Sequence, residues 1–390
     1  MKILLLAPHP FYQERGTPMA VDLVLRVLSA RGDTVDVLTY HEGQPMSYPG
    51  VRLHRIGAVR WVRNVRPGPS LKKLICDAAL LGSALRMAQR GGYDVVHAVE
   101  ESAFIALLIK RFFGVPYLYD MDSSLVEQIV DKYAWSRPLR PWLRWCERLM
   151  VRHAEVVLPV CDALGAIARS HGARRVTILR DICLAAPLRA DGRGVEAELQ
   201  QRLGVAGPIV MYVGNLERYQ GIDLLLESFA LAHRRRPDAR LVVIGGAAAS
   251  VHTYQAQARR LQLDSAALFL GPRPVGQLGD YLAAADLVVS PRVLGRNTPM
   301  KIYSYLGAGK AILATDLPTH TQVLDAGIAM LAAPSPVPFA EAMLRLLEDA
   351  SLRQRLGHAA QHAATARHSY DVFVRTLSEG YDALSRKDDR

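Results

Sequence analysis

One feature constrains this chain more than any other: strand-length apolar runs alternate with longer stretches of helical periodicity, stop, and begin again. In the first series the runs Ile3–Ala7, Val35–Thr39, Val51–Ile56, Tyr93–His97, Val156–Val160 and Val176–Leu179 read as strands. Helical stretches at 21–28, 71–90 and around 103–113 separate them, and the last leads into Gly114–Ser123. A looser segment, Arg180–Pro208, carries Pro187, Gly192 and Gly194 and reads as a connection. The second series then runs through Pro208–Gly214, Leu241–Gly245, Leu268–Gly271, Leu287–Val289 and Ala311–Thr315. Its helices are expected at 223–233, 254–261, 279–285 and 338–348, with closing helices at 353–365 and 369–385. Strands joined by helices of this length pair in parallel, and right-handed crossovers place the helices on both faces of the sheet. The expected fold class is therefore α/β with two doubly wound, Rossmann-like domains. The boundaries are 1–185, 186–368, and a last helix at 369–390 that crosses back to the first domain.

Open parallel sheets bind ligands at the C-terminal ends of their strands, so the loops there are read for chemistry. The richest is Ser290–Lys310, in which Leu287–Val289 leads through Arg292, Gly295, Arg296, Asn297 and Thr298 into a helix beginning near Pro299. Asn297 or Thr298 is placed to cap that helix, and Pro299 suits its first position because no N–H is needed there. The first-turn amides at Met300 and Lys301, with the Lys301 charge beside them, suit an anion such as phosphate. An ordinary crossover with a surface lysine gives the same pattern. In the first series, Gly16-Thr17 lies just before a helix and lets backbone approach a ligand. No GxGxxG follows the first strand, so the dinucleotide fingerprint is missing. Two α/β halves with glycine loops at Gly16, Gly214 and Gly295 lead to the expectation of one ligand shared in a cleft between them.

Composition enters where it restricts partners. Of the net charge of +11, residues 1–185 contribute +8, from 25 Lys/Arg against 17 Asp/Glu, and all four tryptophans lie there. Two segments mix Trp with regularly spaced cations, 59–67 around Trp61 (followed by Lys72 and Lys73) and 133–148 with Trp135, Trp142 and Trp145. Such mixtures suit an acidic membrane surface, although core tryptophans beside a solvated arginine face read the same way. No apolar run reaches the roughly 18–20 residues that cross a bilayer. Cys76, Cys146, Cys161 and Cys183 show no paired or metal-ligand spacing, which favours a reducing cytoplasm, with peripheral attachment to the inner membrane face as an extension. No metal site and no nucleic-acid motif is expected.

The stretch Tyr212-Val-Gly-Asn-Leu-Glu-Arg-Tyr-Gln-Gly-Ile-Asp-Leu-Leu-Leu-Glu227, followed by Ala284–Arg292, Asn297-Thr-Pro-Met-Lys301 and the Arg15-Gly-Thr-Pro loop, resembles the retaining glycosyltransferases of family 4. Its Asn-Leu-Glu-x-Tyr-Gln-Gly and Asn-Thr-Pro-Met-Lys motifs mark a subfamily. The resemblance covers nearly the whole chain and implies the GT-B fold. It also implies metal-independent transfer of a sugar from a nucleotide-sugar co-substrate, with the acceptor on the first domain and the donor on the second. Where that family often carries Arg and Lys against the donor diphosphate, this chain has Asn215 and Gln220. Where it carries two glutamates, this chain has Arg296 and Ser304, and its histidine position falls on Asp122. Arg218, Arg292, Arg296, Asn297, Thr298 and Lys301 offer replacement charge and donors, because a diphosphate needs positive potential and N–H groups rather than particular residues.

The resemblance thus assigns Lys301 and Asp122 to catalysis. It assigns Gly16, Thr17, Asn215, Arg218, Gln220, Arg292, Arg296, Asn297, Thr298, Met300 and Ser304 to the donor, and Pro274 and Val275 to the nucleotide base. Asp122 is equally placed to cap a helix. Asp120, Glu100 and Glu101 read as helix-start acids and His97 as a structural residue. The replaced glutamates motivate an alternative, a catalytically silent sugar-nucleotide-binding or scaffold module. A nucleotide-sugar epimerase would need acid/base groups that the sequence does not display.

Overall fold

The computed structural model describes residues 1–13, 16–57, 62–63, 65, 70–183, 195, 198–199, 201 and 207–385. Arg15, Trp61 and most of the linker expected at 180–208 lie outside them. The chain divides into two compact units, Met1–Arg180 with Phe373–Arg390, and Asp181–Val372.

Unit 1 holds the strands β1 (Lys2–Ala7), β2 (Thr34–Thr39), β3 (Val51–Arg55), β4 (Val95–Val99), β5 (Tyr117–Met121) and β6 (Val156–Pro159). They pair in parallel in the order β3-β2-β1-β4-β5-β6. The burial pattern explains the sequence pattern: Ile3–Ala7 and Val95–Val99 are buried throughout because helices cover both faces, whereas edge strand β3 alternates and stays partly exposed. The helices are α1 (Gly16–Ala30), α2 (Leu71–Gly91), α3 (Ala103–Phe113), α4 (Leu125–Lys132), α5 (Arg140–His153) and α6 (Asp162–Ser170). Ser70 caps α2 by accepting from the Lys73 amide at 3.2 Å.

Two expectations change here. Val176–Leu179 is not a strand; Val176 makes one isolated bridge to Val157. The Trp/Arg segment 133–148 folds as a 3-10 turn (Ala134–Leu139) and α5, whose period the sequence hides because Pro138 and Pro141 interrupt it. Pro141 is tolerated because it falls in the first turn, where its N–H would be unused.

Unit 2 repeats the plan. Its strands are β7 (Ile209–Val213), β8 (Arg240–Ile244), β9 (Ala267–Gly271), β10 (Leu287–Ser290), β11 (Ala311–Thr315) and β12 (Met330–Ala332), the last unanticipated. All pair in parallel in the order β12-β11-β10-β7-β8-β9. The helices are α7 (Ile222–Arg235), α8 (Ala248–Arg260), α9 (Leu278–Ala283), α10 (Lys301–Gly307), α11 (Pro318–Thr321), α12 (Pro336–Glu348) and α13 (Ala350–Arg367). Numbered from its own first strand, each sheet has the doubly wound order 3-2-1-4-5-6. The direction in which the connections progress across the sheet reverses beside the first strand, between β1 and β4 in unit 1 and between β7 and β10 in unit 2. The loops leaving those strands diverge there and leave a crevice for a ligand.

The last helix, α14 (Tyr370–Ser385), joins unit 1 through a buried polar chain. Tyr381, fully buried, contacts His97 Nδ1 through its hydroxyl at 2.7 Å, and His97 Nε2 lies 3.2 Å from Asp120 Oδ2. His97 and Asp120 are therefore structural residues. Arg31 covers the Tyr381 ring at 5.5 Å and reaches Asp382 at 3.3 Å. Because Tyr381, His97 and Asp120 are buried, removing one of these polar groups leaves another unsatisfied. Tyr381→Phe is expected to lower the stability of unit 1 by about 1–2 kcal/mol, read as a shift of the urea midpoint with unchanged slope.

Candidate functional site

The crevice between β7 and β10 is built by two loops whose local sequence dictates their approach. Gly214 ends β7 at φ +148°, and a Cβ there would sit 2.8 Å from Lys301 Nζ and 3.0 Å from the Tyr212 hydroxyl. Gly221 starts α7 at φ +74°, and its Cβ would meet the Pro291 carbonyl oxygen at 1.9 Å. Only glycine lets the β7 loop lie against the β10 loop, where the Val293 amide donates to the Tyr219 carbonyl at 3.0 Å.

Lys301 opens α10 beside this junction. Its ammonium donates to Gln220 Oε1 at 3.0 Å and lies 3.9 Å from the centre of the buried Tyr212 ring. No acidic side chain among the described residues forms an ion pair with it. Burial pushes its pKa well below the ordinary lysine value, and the nearby Arg292 charge pushes the same way. A cation held by a neutral amide and a π face, without a counter-charge, gains more from an arriving anion than a solvated lysine would.

Arg292, also buried, is fixed by neutral acceptors: it donates through Nε to the Leu294 carbonyl at 2.7 Å and through Nη2 to Asn297 Oδ1 at 2.9 Å. Its guanidinium lies 5.2 Å from the Tyr219 ring centre. Asn297 is thus engaged by Arg292 and does not cap α10. Thr298 does not cap it either, since its Oγ1 is buried without a hydrogen-bond partner among the described residues. The helix opens instead on a tight turn, with Ile302 N donating to Pro299 O at 2.9 Å and Tyr303 N to Met300 O at 3.1 Å.

Beneath the loop lies a buried network that sequence reasoning missed. His320 Nδ1 sits 3.0 Å from the Thr315 carbonyl and its Nε2 2.8 Å from Ser290 Oγ, while Thr315 Oγ1 donates to the Arg292 carbonyl at 2.6 Å. A neutral ring that donates from Nδ1 and accepts the Ser290 hydroxyl satisfies every partner. Burial pushes the His320 pKa down to about 4; its bond to Thr315 opposes this, and the Arg292 and Lys301 charges reinforce it. The network ties the ends of β10 and β11 to α11 and sets where Arg292 emerges.

The other candidates lie around this centre with unequal involvement. Gln220 is buried against Lys301 and Ser304 is buried in α10, one turn beyond it. Asn215 is exposed and stiffens its own turn, accepting from the Glu217 amide at 3.4 Å and donating to the Tyr219 hydroxyl at 3.3 Å. Arg296 is exposed, and its carbonyl accepts from Gln322 at 2.7 Å. Arg218 lines a depression of about 430 Å³ with Asp223 and Tyr254, away from the Lys301 group. Pro274 and Val275 lie beyond β9, at the start of a 3-10 turn.

Gly16, Thr17 and Asp122 belong to unit 1. Gly16 and Thr17 open α1. Asp122 is half-buried after β5, and the cap of α4 is Ser124, which accepts from the Glu127 amide at 3.4 Å.

Unit 1 has its own polar group at the β1–β4 crevice. Lys73, read from sequence as part of a basic surface, pairs with Glu101 and donates to the Pro8 carbonyl at 3.0 Å. Burial alone would lower the Lys73 pKa, but the Glu101 and Glu100 carboxylates outweigh it and raise it. Burial, then the Glu101 charge, lifts Glu100 to about 7, and burial lifts Asp77, bonded to the Tyr40 hydroxyl, to about 6. Glu100 also holds φ +49°, a left-handed conformation that side chains rarely adopt. Glu100 and Glu101, which looked like helix-start acids, are half-buried, and Glu101 is paired with Lys73.

Fold and site together define a protein with two doubly wound units, one of which holds desolvated cations at its topological switch point. Comparison with known proteins names the class. Residues 15–180 match the family model described as glycosyl transferase 4-like domain, and residues 207–349 match that described as glycosyl transferases group 1. The chain is 24% identical over 369 residues to D-inositol 3-phosphate glycosyltransferase of Corynebacterium diphtheriae, covering 90% of this chain and 86% of that protein. It is 26% identical to alpha-D-kanosaminyltransferase of Streptomyces kanamyceticus, over 69% of this chain and 70% of that one. Among solved structures, sucrose-phosphate synthase from Thermosynechococcus elongatus superposes with a TM-score of 0.82 at 19% identity, over 99% of each chain. Anabaena HepE, solved in complex with UDP-glucose, gives 0.75 at 19%, over 98% and 100%. The chain belongs to the family 4 glycosyltransferases of the GT-B fold and is a glycosyltransferase.

The His320 network makes a stability prediction whose sign is fixed. A folded-state pKa below the ordinary 6.5 means that the unfolded chain binds the proton better. The stabilisation is complete above pH 6.5 and declines as pH falls towards 4, by up to about 3 kcal/mol. His320→Asn is expected to be less stable than the parent at pH 7 yet to lose less on acidification, read from urea midpoints between pH 7 and pH 4. His9, pushed down to about 4 by burial, keeps an acid-sensitive contribution in unit 1.

Proposed function

We propose that this enzyme transfers a sugar from a nucleotide-sugar donor to an acceptor hydroxyl with retention of anomeric configuration, without a metal, on an acceptor presented at a membrane. The observation that carries the reading is the Lys301 ammonium, desolvated over Tyr212 and bonded to the neutral Gln220 at the switch point of unit 2. A departing nucleoside diphosphate develops negative charge, and a pre-placed, water-poor cation stabilises it more than it stabilises the ground state. Lys301 and Arg292 supply the charge that a divalent cation supplies elsewhere, and both are held before the ligand arrives, so little reorganisation accompanies the reaction. In the retaining reading, the leaving diphosphate takes the acceptor proton on the face it departs from, so no carboxylate base is required of unit 2. Arg296 and Ser304 are compatible with this route, with Ser304 near the donor and Arg296 adding positive potential. That Anabaena HepE was solved with UDP-glucose supports a nucleotide-sugar donor. Unit 1 is the acceptor side in this reading, with Asp122 orienting a hydroxyl.

A second reading, a silent sugar-nucleotide-binding module, is favoured by one observation: Arg296 and Ser304 occupy the positions where the resembled family has glutamates. Turnover separates the two. A thermal-shift panel of UDP, GDP, ADP and dTDP identifies the base, and the matching sugar nucleotides are then assayed for hydrolysis and transfer. Lys301→Ala is expected to lower kcat about 10²–10³-fold, with EDTA without effect and the product anomer, read by NMR, matching the donor. An inverted product would overturn the retaining assignment, and absence of turnover across the donor panel would favour the silent module. Because the Lys301 pKa is lowered, nucleoside diphosphate affinity is expected to weaken with rising pH already below the range in which an ordinary lysine loses its proton. Lys301→Met removes that dependence.

A further inference from the structure

Fourteen large apolar side chains among the described residues are exposed, and ten of them fall on α2, α3, α5 and the 3-10 turn before α5. These elements share one face of the unit 1 sheet. Right-handed connections from β3 to β4, β4 to β5 and β5 to β6 all progress in one direction across the sheet, whereas β1 to β2 runs the other way. The contacts agree, since α2 packs on α3 and α3 on α5.

Each helix presents its apolar residues outward at helical spacing. On α2 they are Leu71, Leu74 and Ile75, on α3 Leu108 and Phe112, and on α5 Trp142 and Trp145. Trp135, in the turn before α5, is 72% exposed. Scattered apolar residues are ordinary on a surface, but aligned stripes on three neighbouring helices are not.

The exposed charge on these elements has one sign. Lys72, Arg111, Arg137, Arg140, Arg144 and Arg148 are exposed. The acids within the same elements are Asp77, bonded to Tyr40, and Glu147, which is 1% exposed and bonded to Ser124 and His171. No exposed acidic side chain lies on α2, α3, α5 or the 3-10 turn.

From this we infer that the outer face of α2, α3 and α5 docks on an anionic lipid bilayer. Tryptophan rings and aliphatic tips enter at headgroup depth, and the arginines meet lipid phosphates at the rim. A second copy of the chain fits the face less well, because a two-fold contact would set arginines against arginines. A nucleic acid would use the cations but leave the Leu, Ile and Phe stripes unsatisfied. The inference deepens the membrane-acceptor reading and rests on that reading only for the nature of the acceptor.

The test is flotation of the full chain with vesicles of phosphatidylcholine alone, or with about one-third phosphatidylglycerol, at low and high salt. Binding is expected only with phosphatidylglycerol and is expected to weaken with salt. The double variant Trp142→Ala/Trp145→Ala should bind at least tenfold more weakly, and Arg144→Glu/Arg148→Glu should lose the lipid-charge dependence. Both variants should keep the parent's thermal shift with nucleoside diphosphate, which separates loss of docking from loss of folding. Vesicle binding that ignores lipid charge, or parent-like binding by the tryptophan variant, overturns the proposal. So does a dimer in sedimentation velocity that the variant dissolves, or duplex DNA or RNA binding tighter than vesicle binding. Intact vesicle binding without sugar transfer would leave the docking face standing and remove the catalytic reading.

Discussion

The site in unit 2 depends on an ammonium group kept in a place that disfavours it. Lys301 is deprived of water by the β7 and β10 loops and given a ring face and an amide oxygen instead of a carboxylate. A buried cation with no counter-charge is costly. It persists because Gly214 and Gly221 let the loops close around it and because the Ser290–His320–Thr315 network holds the loop behind it. An anion arriving there completes a charge pair that folding leaves half made.

Unit 1 answers the same topology with opposite chemistry. At its β1–β4 crevice the carboxylates Glu100, Glu101 and Asp77 outnumber Lys73, and burial raises two of them toward neutrality. One plan of strands therefore yields a cationic crevice in one unit and an acidic one in the other, with identity decided by a handful of loop residues. The fold supplies the crevice; the loop sequences decide what it attracts.

Much of this was legible in the sequence because parallel strands are buried on both faces and read as unbroken apolar runs. The α/β repeat and the Ser290–Lys310 loop after a strand followed from that alone. The rest was hidden for identifiable reasons. Pro138 and Pro141 masked the helical period of α5, and β12, three residues long, is too short to register. Asn297 and Thr298 looked like caps because their residue types favour it, but Arg292 claims the first and burial isolates the second. Tyr212 read only as part of a strand, since nothing in a strand pattern tells which ring will face a lysine from a distant helix. His320 could have been noticed as a lone imidazole shortly after a buried strand, yet its partners are assembled only by the sheet.

The last helix carries a consequence for how the molecule comes into being. Unit 1 is built from Met1–Arg180 but is closed by Phe373–Ser385, so Tyr381, whose buried hydroxyl meets His97, is synthesised only after the whole of unit 2. Unit 2 lies wholly inside that interval and can leave the ribosome and fold while unit 1 still lacks a helix. Until translation passes Tyr381, the His97–Asp120 pair stands open at the place that α14 will cover. The sheet of unit 1 thus waits for a helix encoded beyond unit 2, and the nascent chain must keep it from misassociating while residues 181–372 are made.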